Sequence, residues 1–267
     1  MVLTLITDCA DSNARGRQES RLQALFQKQP SFIPIPGTLD DAATLEASGN
    51  IVDILDAIGE SEAVILANVA PRNAEEKKWG NGTPFGYFRY KNALVCTTVS
   101  GSMLSLPHKL ELVAEYHIFD MEETLRKMVE GCMFDEHEAQ RIAGSQFRSF
   151  DFLPRVAHWL YNGGDVVTTP LSLETIRHAG KRVWTIDNFG NAKTTICNNE
   201  LPENATTLET LFGELPIVTS LKDVPDGTPA VTVGSSGIGE CHFLEIVVQG
   251  QRASSVLGLG LLRGSGV

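Results

Sequence analysis

Residues 2–8 have the sequence Val-Leu-Thr-Leu-Ile-Thr-Asp. The first six are β-branched or apolar and end at a polar break, which predicts a buried strand at Val2–Thr7 with Asp8 directly after it. A second apolar run at Ala63–Val69, closed by Pro71, predicts another buried strand. Because ligands of open α/β sheets bind outside the carboxyl ends of strands, Asp8 is a candidate ligand-binding residue. The alternative role for such an aspartate is a helix cap or a turn.

Helical patterns alternate with the strand patterns over about the first 160 residues, which predicts an α/β fold. The predicted helices are Ser20–Gln27, Thr38–Ile58 with Thr38 as N-cap, Glu122–Val129, Glu136–Ile142 and Pro154–Tyr161, and the further strands are Phe85–Tyr90 and Ala93–Val99. We therefore expect an N-terminal three-layer α/β domain, residues 1–165, with a mainly parallel sheet.

After Gly164 the pattern changes to short strands separated by glycine and proline. The predicted strands are Val183–Ile186, Lys193–Ile196, Ile217–Thr219, Ala230–Val233 and Leu244–Val248. This pattern is typical of a small antiparallel barrel or sandwich, so we expect a C-terminal β-barrel domain at residues 166–267.

Composition excludes several classes of function. With 33 acidic against 22 basic residues the net charge is -11, which argues against binding to nucleic acid phosphates. No apolar run reaches the length of about 20 residues that spans a membrane, and the start, Met1–Ile6, lacks the basic segment of a signal peptide, so we expect a cytoplasmic protein. The five cysteines are widely spaced and the histidines lack metal-ligand spacing, so we expect buried thiols and no metal site.

Two C-terminal stretches have unusual compositions. Residues 186–191, Ile-Asp-Asn-Phe-Gly-Asn, place a carboxylate, an aromatic ring and two amides around a glycine, a set suited to stacking and hydrogen-bonding a base. The alternative is an ordinary turn, since asparagine and glycine dominate turns. Residues 234–239, Gly-Ser-Ser-Gly-Ile-Gly, lack the Lys-Ser/Thr of a phosphate-binding loop. The remaining functional interpretation is a loop whose backbone approaches a ligand closely.

Taken in order, Thr7-Asp8, Asp187-x-Phe189-Gly190-Asn191 and Ser235-Ser236-Gly237 followed by Phe243-Leu244-Glu245-Ile246 resemble one family. It comprises the S-adenosyl-L-methionine (SAM) hydroxide adenosyltransferases, or SAM hydrolases, and the related fluorinases and chlorinases. The stretch Phe147-Arg148-Ser149-Phe150-Asp151 stands where the hydrolases have Phe-His-Gly-Arg-Asp. The chain therefore resembles a divergent member of this family.

The resemblance implies a homotrimer whose substrate, SAM or adenosine, lies between the N-terminal domain of one subunit and the barrel of its neighbour, with no further cofactor. It implies that Asp8 holds the ribose hydroxyls. The other implied substrate contacts are Asp187 and Ser235 for the methionine ammonium, and Phe189, Asn191 and the backbone of Ala253 for adenine.

The residues that handle the nucleophile differ from the family pattern. The Asp-Arg-His set of the hydrolases falls on Ala70, Lys77 and Arg148, whereas Ser149 matches a halogenase serine that contacts halide. We therefore expect Lys77, Arg148 and Ser149 to act in an adenosine-forming SAM hydrolase with altered water handling. Two alternatives are a SAM- or adenosine-binding protein without turnover and a transferase that uses chloride or another small anion.

Overall fold

The computed structural model describes residues 1–37, 41–71 and 82–259. A seven-stranded sheet forms the centre of the N-terminal region, in the order β2-β1-β3-β5-β4-β6-β7. Its strands are β1 (Val2–Thr7), β2 (Ser31–Pro34), β3 (Ala63–Asn68), β4 (Phe85–Tyr90), β5 (Ala93–Thr98), β6 (His117–Phe119) and β7 (Thr168–Pro170). β2, β1, β3 and β5 run parallel, and β4, β6 and β7 extend the sheet in antiparallel pairs. The predicted buried strand at Val2–Thr7 is confirmed as β1.

Helices cover both faces of this sheet, which confirms the predicted three-layer arrangement. They are α1 (Ser12–Phe26), α2 (Ala42–Ile58), α3 (Ser105–Lys109), α4 (Met121–Glu130), α5 (Glu136–Ala143), α6 (Arg148–Asp151) and α7 (Leu153–Tyr161). In β1, Leu3 and Leu5 face the side of α1, α4, α5 and α7, whereas Ile6 faces α2 and α3. This alternation places one apolar core on each side of the strand.

α1 begins eight residues before the predicted start at Ser20. The Asp11 side chain caps it by accepting hydrogen bonds from the backbone N–H groups of Asn13 and Ala14 at 3.1 and 3.0 Å. Such a cap satisfies donors that are otherwise unpaired in the first turn. α2 is described from Ala42 onward, and the predicted N-cap Thr38 lies outside the described residues.

The C-terminal region is antiparallel. A four-stranded sheet has the order β12-β13-β9-β8, and a hairpin pairs β10 with β11. These strands are β8 (Val183–Ile186), β9 (Ala192–Cys197), β10 (Thr207–Thr210), β11 (Gly213–Pro216), β12 (Pro229–Ile238) and β13 (Cys241–Val248), and they are followed by α8 (Ala253–Val256). The predicted strand at Ile217–Thr219 is wrong, because Ile217 forms only an isolated bridge with Val231.

The predicted fold class is confirmed: the structure is α/β with a large, mainly parallel sheet and a separate antiparallel region. In the part of the chain that the structure describes, the antiparallel strands form a sheet and a hairpin rather than a closed barrel. The change from one sheet to the other falls between Pro170 and Val183. The division into domains at residue 165 stays a prediction.

α2 joins the two regions. It packs against the large sheet on one side and against β8 and β12 on the other, so most of its residues are buried. A Cβ atom on Gly49 would lie 2.3 Å from a ring carbon of Trp184, so the glycine permits the close approach of β8. Among the described residues, no helix combines the length and the apolar composition needed to cross a membrane.

Candidate functional site

A cleft of about 760 Å³ lies at the carboxyl ends of β1, β3 and β5. Its volume falls within the range of about 300–1,000 Å³ that is typical of small-molecule sites. Its lining comes from four parts of the chain: Asp8, Cys9 and Gly37; Asn68, Ala70 and Pro71; Gly82, Thr83, Phe85 and Thr98; and Gln146, Phe147, Arg148 and Ser149. This is the edge of the sheet at which Asp8 was predicted to bind a ligand.

Asp8 is held at the cleft by its neighbours from β1 and β3. One carboxylate oxygen accepts a hydrogen bond from the backbone N–H of Ala70 at 3.0 Å, and the other accepts from the Cys9 thiol at 3.7 Å. The Asp8 backbone N–H also donates to the Asn68 carbonyl at 3.2 Å. These bonds fix the position of the Asp8 carboxylate where it lines the cleft.

Cys9 and Asn68 were not singled out from the sequence. The Asn68 amide lies 3.9 Å from Cys9 Sγ, and Ser149 forms a side-chain hydrogen bond with the same thiol. Burial raises the pKa of the Cys9 thiol, and the negative charge of Asp8 raises it further. Cys9 is therefore a neutral donor that links Asp8 to Ser149. The one signal in the sequence is its position directly after Asp8.

Arg148 and Ser149 lie at the start of α6 and both line the cleft. Arg148 Nη2 donates to the Thr83 carbonyl at 3.1 Å, and the guanidinium lies 5.7 Å from the centroid of the Phe85 ring. Arginine is charged at all physiological pH values, so the cleft is lined by a fixed positive charge as well as by the Asp8 carboxylate. Lys77, the third predicted catalytic residue, lies outside the described residues.

A buried ion-pair network anchors α6. Asp151 is 4% exposed, and its two carboxylate oxygens accept from Arg141 Nη2 at 2.8 Å and from Ser145 Oγ at 2.5 Å. Burial opposes ionisation of Asp151, but the hydrogen bonds from Arg141 and Ser145 outweigh it and lower its pKa. The network fixes the backbone from which Arg148 and Ser149 extend.

The loop at residues 187–191 folds around its own aspartate. The Asp187 carboxylate accepts from the backbone N–H groups of Phe189 and Asn191 at 2.8 and 2.9 Å, and from the Asn191 side-chain amide at 3.0 Å. Gly190 has φ 88°, which disfavours a side chain there. In this turn the Phe189 ring points to solvent and is 79% exposed. The turn predicted as an alternative is present, and it displays an aromatic face.

Ala253 lies beside this loop, because the backbone N–H of Ser254 donates to the Gly190 carbonyl at 2.9 Å. The Ala253 side chain is fully buried. The loop and the start of α8 are thus bonded to each other, with Phe189 exposed to solvent and Ala253 buried behind the loop.

Ser235 is exposed on β12, next to a polar cluster of two partly buried residues, Asp53 and Lys193, and two buried ones, Ser236 and Glu245. Ser236 Oγ donates to Asp53 at 2.8 Å, and the Ser235 backbone bonds to Glu245. Burial raises the pKa values of both Asp53 and Glu245. Asp187 adds to the negative potential at Glu245.

The predicted residues therefore form two groups. Asp8, Arg148 and Ser149 share the cleft, and Asp187, Phe189, Asn191, Ser235 and Ala253 lie on the C-terminal region. Of the described residues that line the cleft, none comes from the C-terminal region. In the described part of the chain, no three His, Cys, Asp or Glu side chains come together as a metal site.

Comparison with known proteins connects the C-terminal region to one family. Residues 181–263 match the model of the SAM hydroxide adenosyltransferase C-terminal domain. No curated protein matched the chain.

Two solved structures have a similar fold over almost the whole chain. An uncharacterized conserved protein from Thermotoga maritima aligns with a TM-score of 0.65 and 18% identity, covering 96% of each chain. A conserved hypothetical protein from Thermus thermophilus aligns with a TM-score of 0.61 and 16% identity, covering 96% of this chain and 95% of its own. The resemblance drawn from the sequence is confirmed for the C-terminal region, because residues 181–263 match the C-terminal domain of the SAM hydroxide adenosyltransferases, while the two solved structures share the fold.

Proposed function

We propose that the protein binds SAM and displaces methionine from the ribose 5′ carbon, giving adenosine and L-methionine. The observation that carries the proposal is that Asp8, Arg148 and Ser149 line one cleft. The family resemblance implies that Asp8 holds the ribose and that the other two handle the nucleophile. Such a reaction requires both functions a few ångströms apart, with the nucleophile in line with the breaking bond.

The chemistry requires no general acid. The sulfur of SAM is a sulfonium and leaves as a neutral thioether, so no proton has to be delivered to it. The residues of the cleft need to orient water, or a hydroxide, behind the 5′ carbon and to exclude bulk solvent. Arg148 supplies a positive charge that favours an anionic nucleophile, and the Ser149 hydroxyl supplies a hydrogen bond.

The second group of residues completes the site in the proposed assembly, a homotrimer. The exposed Phe189 ring and Asn191 then meet the adenine of a SAM molecule held in a neighbouring subunit, with the Ala253 backbone behind them. Asp187 and Ser235 meet its ammonium. A cyclic assembly of this kind uses different surfaces on the two faces of each interface. Light scattering should give about 87 kDa, three chains of 29.0 kDa. A stable monomer at micromolar concentration would contradict shared sites.

The decisive experiment is incubation of purified protein with SAM, followed by chromatography for adenosine and methionine in equal amounts. Parallel samples contain chloride or fluoride and are searched for a 5′-halo nucleoside, the product expected if Arg148 and Ser149 hold a halide. Calorimetry with SAM and adenosine runs beside the assay. Binding without any product favours the alternative of a SAM- or adenosine-binding protein, and absence of both binding and product refutes the proposal.

Arg148→Ala should lower kcat by at least about tenfold and change SAM affinity much less. The physical reason is that its positive charge favours the hydroxide form of a nearby water, the stronger nucleophile, whereas other residues hold SAM itself. We also expect the wild-type rate to rise toward alkaline pH, because hydroxide is the stronger nucleophile. Steady-state kinetics over a pH series checks both. The control is Arg126→Ala, since Arg126 is an exposed arginine on α4 paired with Glu123. Equal losses in the two variants would contradict this role for Arg148.

Phe189→Ala should weaken SAM and adenosine binding by about 1–3 kcal/mol, the range for stacking of a base on an aromatic ring. Folding should be unaffected, because the ring is 79% exposed. Leu211→Ala is the matched control, since Leu211 is a large apolar side chain 75% exposed at the β10–β11 hairpin. Calorimetry with adenosine measures both variants. A similar affinity for the two would show that Phe189 does not contact the base.

A further inference from the structure

Two cysteines far apart in sequence meet where neighbouring strands of the C-terminal sheet end. β9 ends at Cys197 and β13 begins at Cys241. In the antiparallel register, Cys197 lies opposite Phe243, two residues after Cys241. Because side chains alternate along a strand, Cys241 and Phe243 point to the same face, and Cys197 points there as well. The register therefore makes the two thiols diagonal neighbours.

The contacts around the two sulfur atoms agree with this placement. Cys241 is near enough to raise the pKa of the Cys197 thiol, both as a hydrogen-bond partner and by its charge, and Cys241 Sγ donates to the Asn199 side-chain oxygen at 3.8 Å. Cys197 is buried in the core between α2 and the C-terminal sheet, whereas Cys241 is partly exposed. One thiol of the pair is thus accessible to a reagent, and the other lies behind it.

The local backbone allows the pair to close. The turn between β12 and β13 contains Gly239, with φ 58° and no neighbour near its Cβ position. Around the pair, Asn198 donates to the Glu240 carbonyl at 3.2 Å and accepts from the His242 N–H at 2.9 Å. These bonds tie the end of β9 to the start of β13 and keep the two sulfur atoms together.

We propose that Cys197 and Cys241 form a reversible disulfide that cross-links β9 to the β12–β13 hairpin. Disulfides need Cβ atoms about 3.5–4.5 Å apart, so closure requires the diagonal pair to move together, which is easiest where both strands end. The cross-link would fix the hairpin on which Ser235 and Ser236 lie. The inference does not depend on the proposed function, because it concerns only these thiols.

The oxidant is a small disulfide such as oxidised glutathione. The Cys241 thiolate attacks one of its sulfur atoms, one glutathione leaves as thiolate, and a mixed disulfide remains on Cys241. Cys197 then loses its proton to solvent and attacks the Cys241 sulfur, which expels the second glutathione. The two cysteines lose two electrons and two protons in total, and one glutathione disulfide is reduced to two thiols.

Charges near Cys197 bear on the second step. Burial raises the pKa of the Cys197 thiol, and the hydrogen bond with Cys241 raises it further. The Lys109 ammonium opposes this and favours the thiolate, while Glu200, which Lys109 binds at 2.5 Å, favours the thiol. Closure of the disulfide should accordingly be slower than capture of glutathione by Cys241.

The test treats the full-length protein with oxidised glutathione, alkylates the remaining thiols under denaturing conditions, and identifies each cysteine by peptide mass spectrometry. All samples carry Cys132→Ser, because Cys132 is exposed and would form mixed disulfides of its own. In this background Cys197 and Cys241 should lose reactivity together and appear in one cross-linked peptide pair. A reductant should restore both.

Two single variants make the outcome specific. In Cys197→Ser, Cys241 should stop at the mixed disulfide with glutathione, because no second thiol is present to release it. In Cys241→Ser, Cys197 should stay fully alkylatable, because it is buried and has lost its accessible partner. The proposal is overturned if both thiols stay reduced in the parent protein, or if Cys241 of the parent ends as the mixed disulfide. The measurement on the Cys132→Ser protein alone tests the proposal even if the additional Cys197→Ser change prevents folding.

Discussion

Asp8→Ala should weaken SAM and adenosine binding by at least about tenfold. In the proposed complex the carboxylate accepts hydrogen bonds from the 2′ and 3′ hydroxyls of the ribose. Hydrogen bonds to a charged group contribute about 1.5–3 kcal/mol each, so the loss of two gives the largest effect on affinity among the variants considered. Calorimetry with adenosine isolates this contact, because adenosine has the ribose but neither the ammonium nor the sulfonium of SAM.

The controls separate the ribose contact from local structure. Asp8→Asn keeps the side-chain size and an acceptor for the Ala70 N–H, which lies 3.0 Å from the carboxylate, but removes the charge. Asp11→Ala removes an equal charge three residues later, where Asp11 caps α1. The wild type should bind 2′-deoxyadenosine more weakly than adenosine, whereas Asp8→Ala should bind the two nucleosides with nearly equal affinity. If Asp8→Ala binds adenosine as tightly as Asp11→Ala does, the aspartate only forms a turn.

The site residues that could be predicted from the sequence are those whose position depends on neighbouring residues in the chain. An apolar β-branched run followed by aspartate places Asp8 at the carboxyl end of a buried strand, and the structure has it there. The turn composition at residues 187–191 likewise predicts the loop, in which Asp187 binds the backbone and Phe189 faces solvent. The turn and the ligand-binding interpretations are therefore compatible, since the same bonds that form the turn expose the ring.

Features produced by contacts between distant segments were missed. Cys9 and Asn68 meet because β1 and β3 are neighbours in the sheet, and Arg148 reaches Thr83 across 65 positions of sequence. No local pattern indicates such contacts. The three-residue strands β6 and β7 were also missed, because so short a run has no measurable periodicity.

Asp41→Ala should cause the largest loss of stability, about 3–5 kcal/mol at neutral pH. The Asp41 carboxylate lies at the start of α2 with its side chain 16% exposed. It accepts from Arg182 at 3.0 Å and forms an ion pair with Arg177 at 3.3 Å. Its other partners are the Ser102 backbone N–H at 2.8 Å, Ser102 Oγ at 2.6 Å and Thr44 Oγ1 at 2.6 Å. The carboxylate therefore links α2, the loop before α3 and the entry to the C-terminal sheet.

The size of the effect follows from what alanine leaves behind. Two guanidinium groups would be left near each other without their shared carboxylate, and the buried Ser102 N–H would lose an acceptor. Removing the shared carboxylate costs more than one pair contributes, because the buried Ser102 and Thr44 donors lose a charged acceptor and Arg182, 23% exposed, is only partly solvated. For a chain of this size the midpoint of thermal unfolding should fall by roughly 6–20 °C. Asp56→Ala, an exposed acid on the same helix, should change it by less than about 2 °C.

The pH dependence gives an independent check on Asp41. Burial opposes ionisation of this carboxyl, but hydrogen bonds from Ser102, Thr44 and Arg182 outweigh burial and lower its pKa below the ordinary value of 3.8. The stabilisation it provides is thus complete above that value and is lost as the pH falls through the lower pKa of the folded state. Urea unfolding of wild type and Asp41→Asn should show a difference in unfolding free energy that is constant from neutral to mildly acidic pH and shrinks below 3.8. A difference that stays constant into strong acid would mean that the charge of Asp41 contributes nothing, and that only the shape and hydrogen bonding of the side chain hold the two regions together.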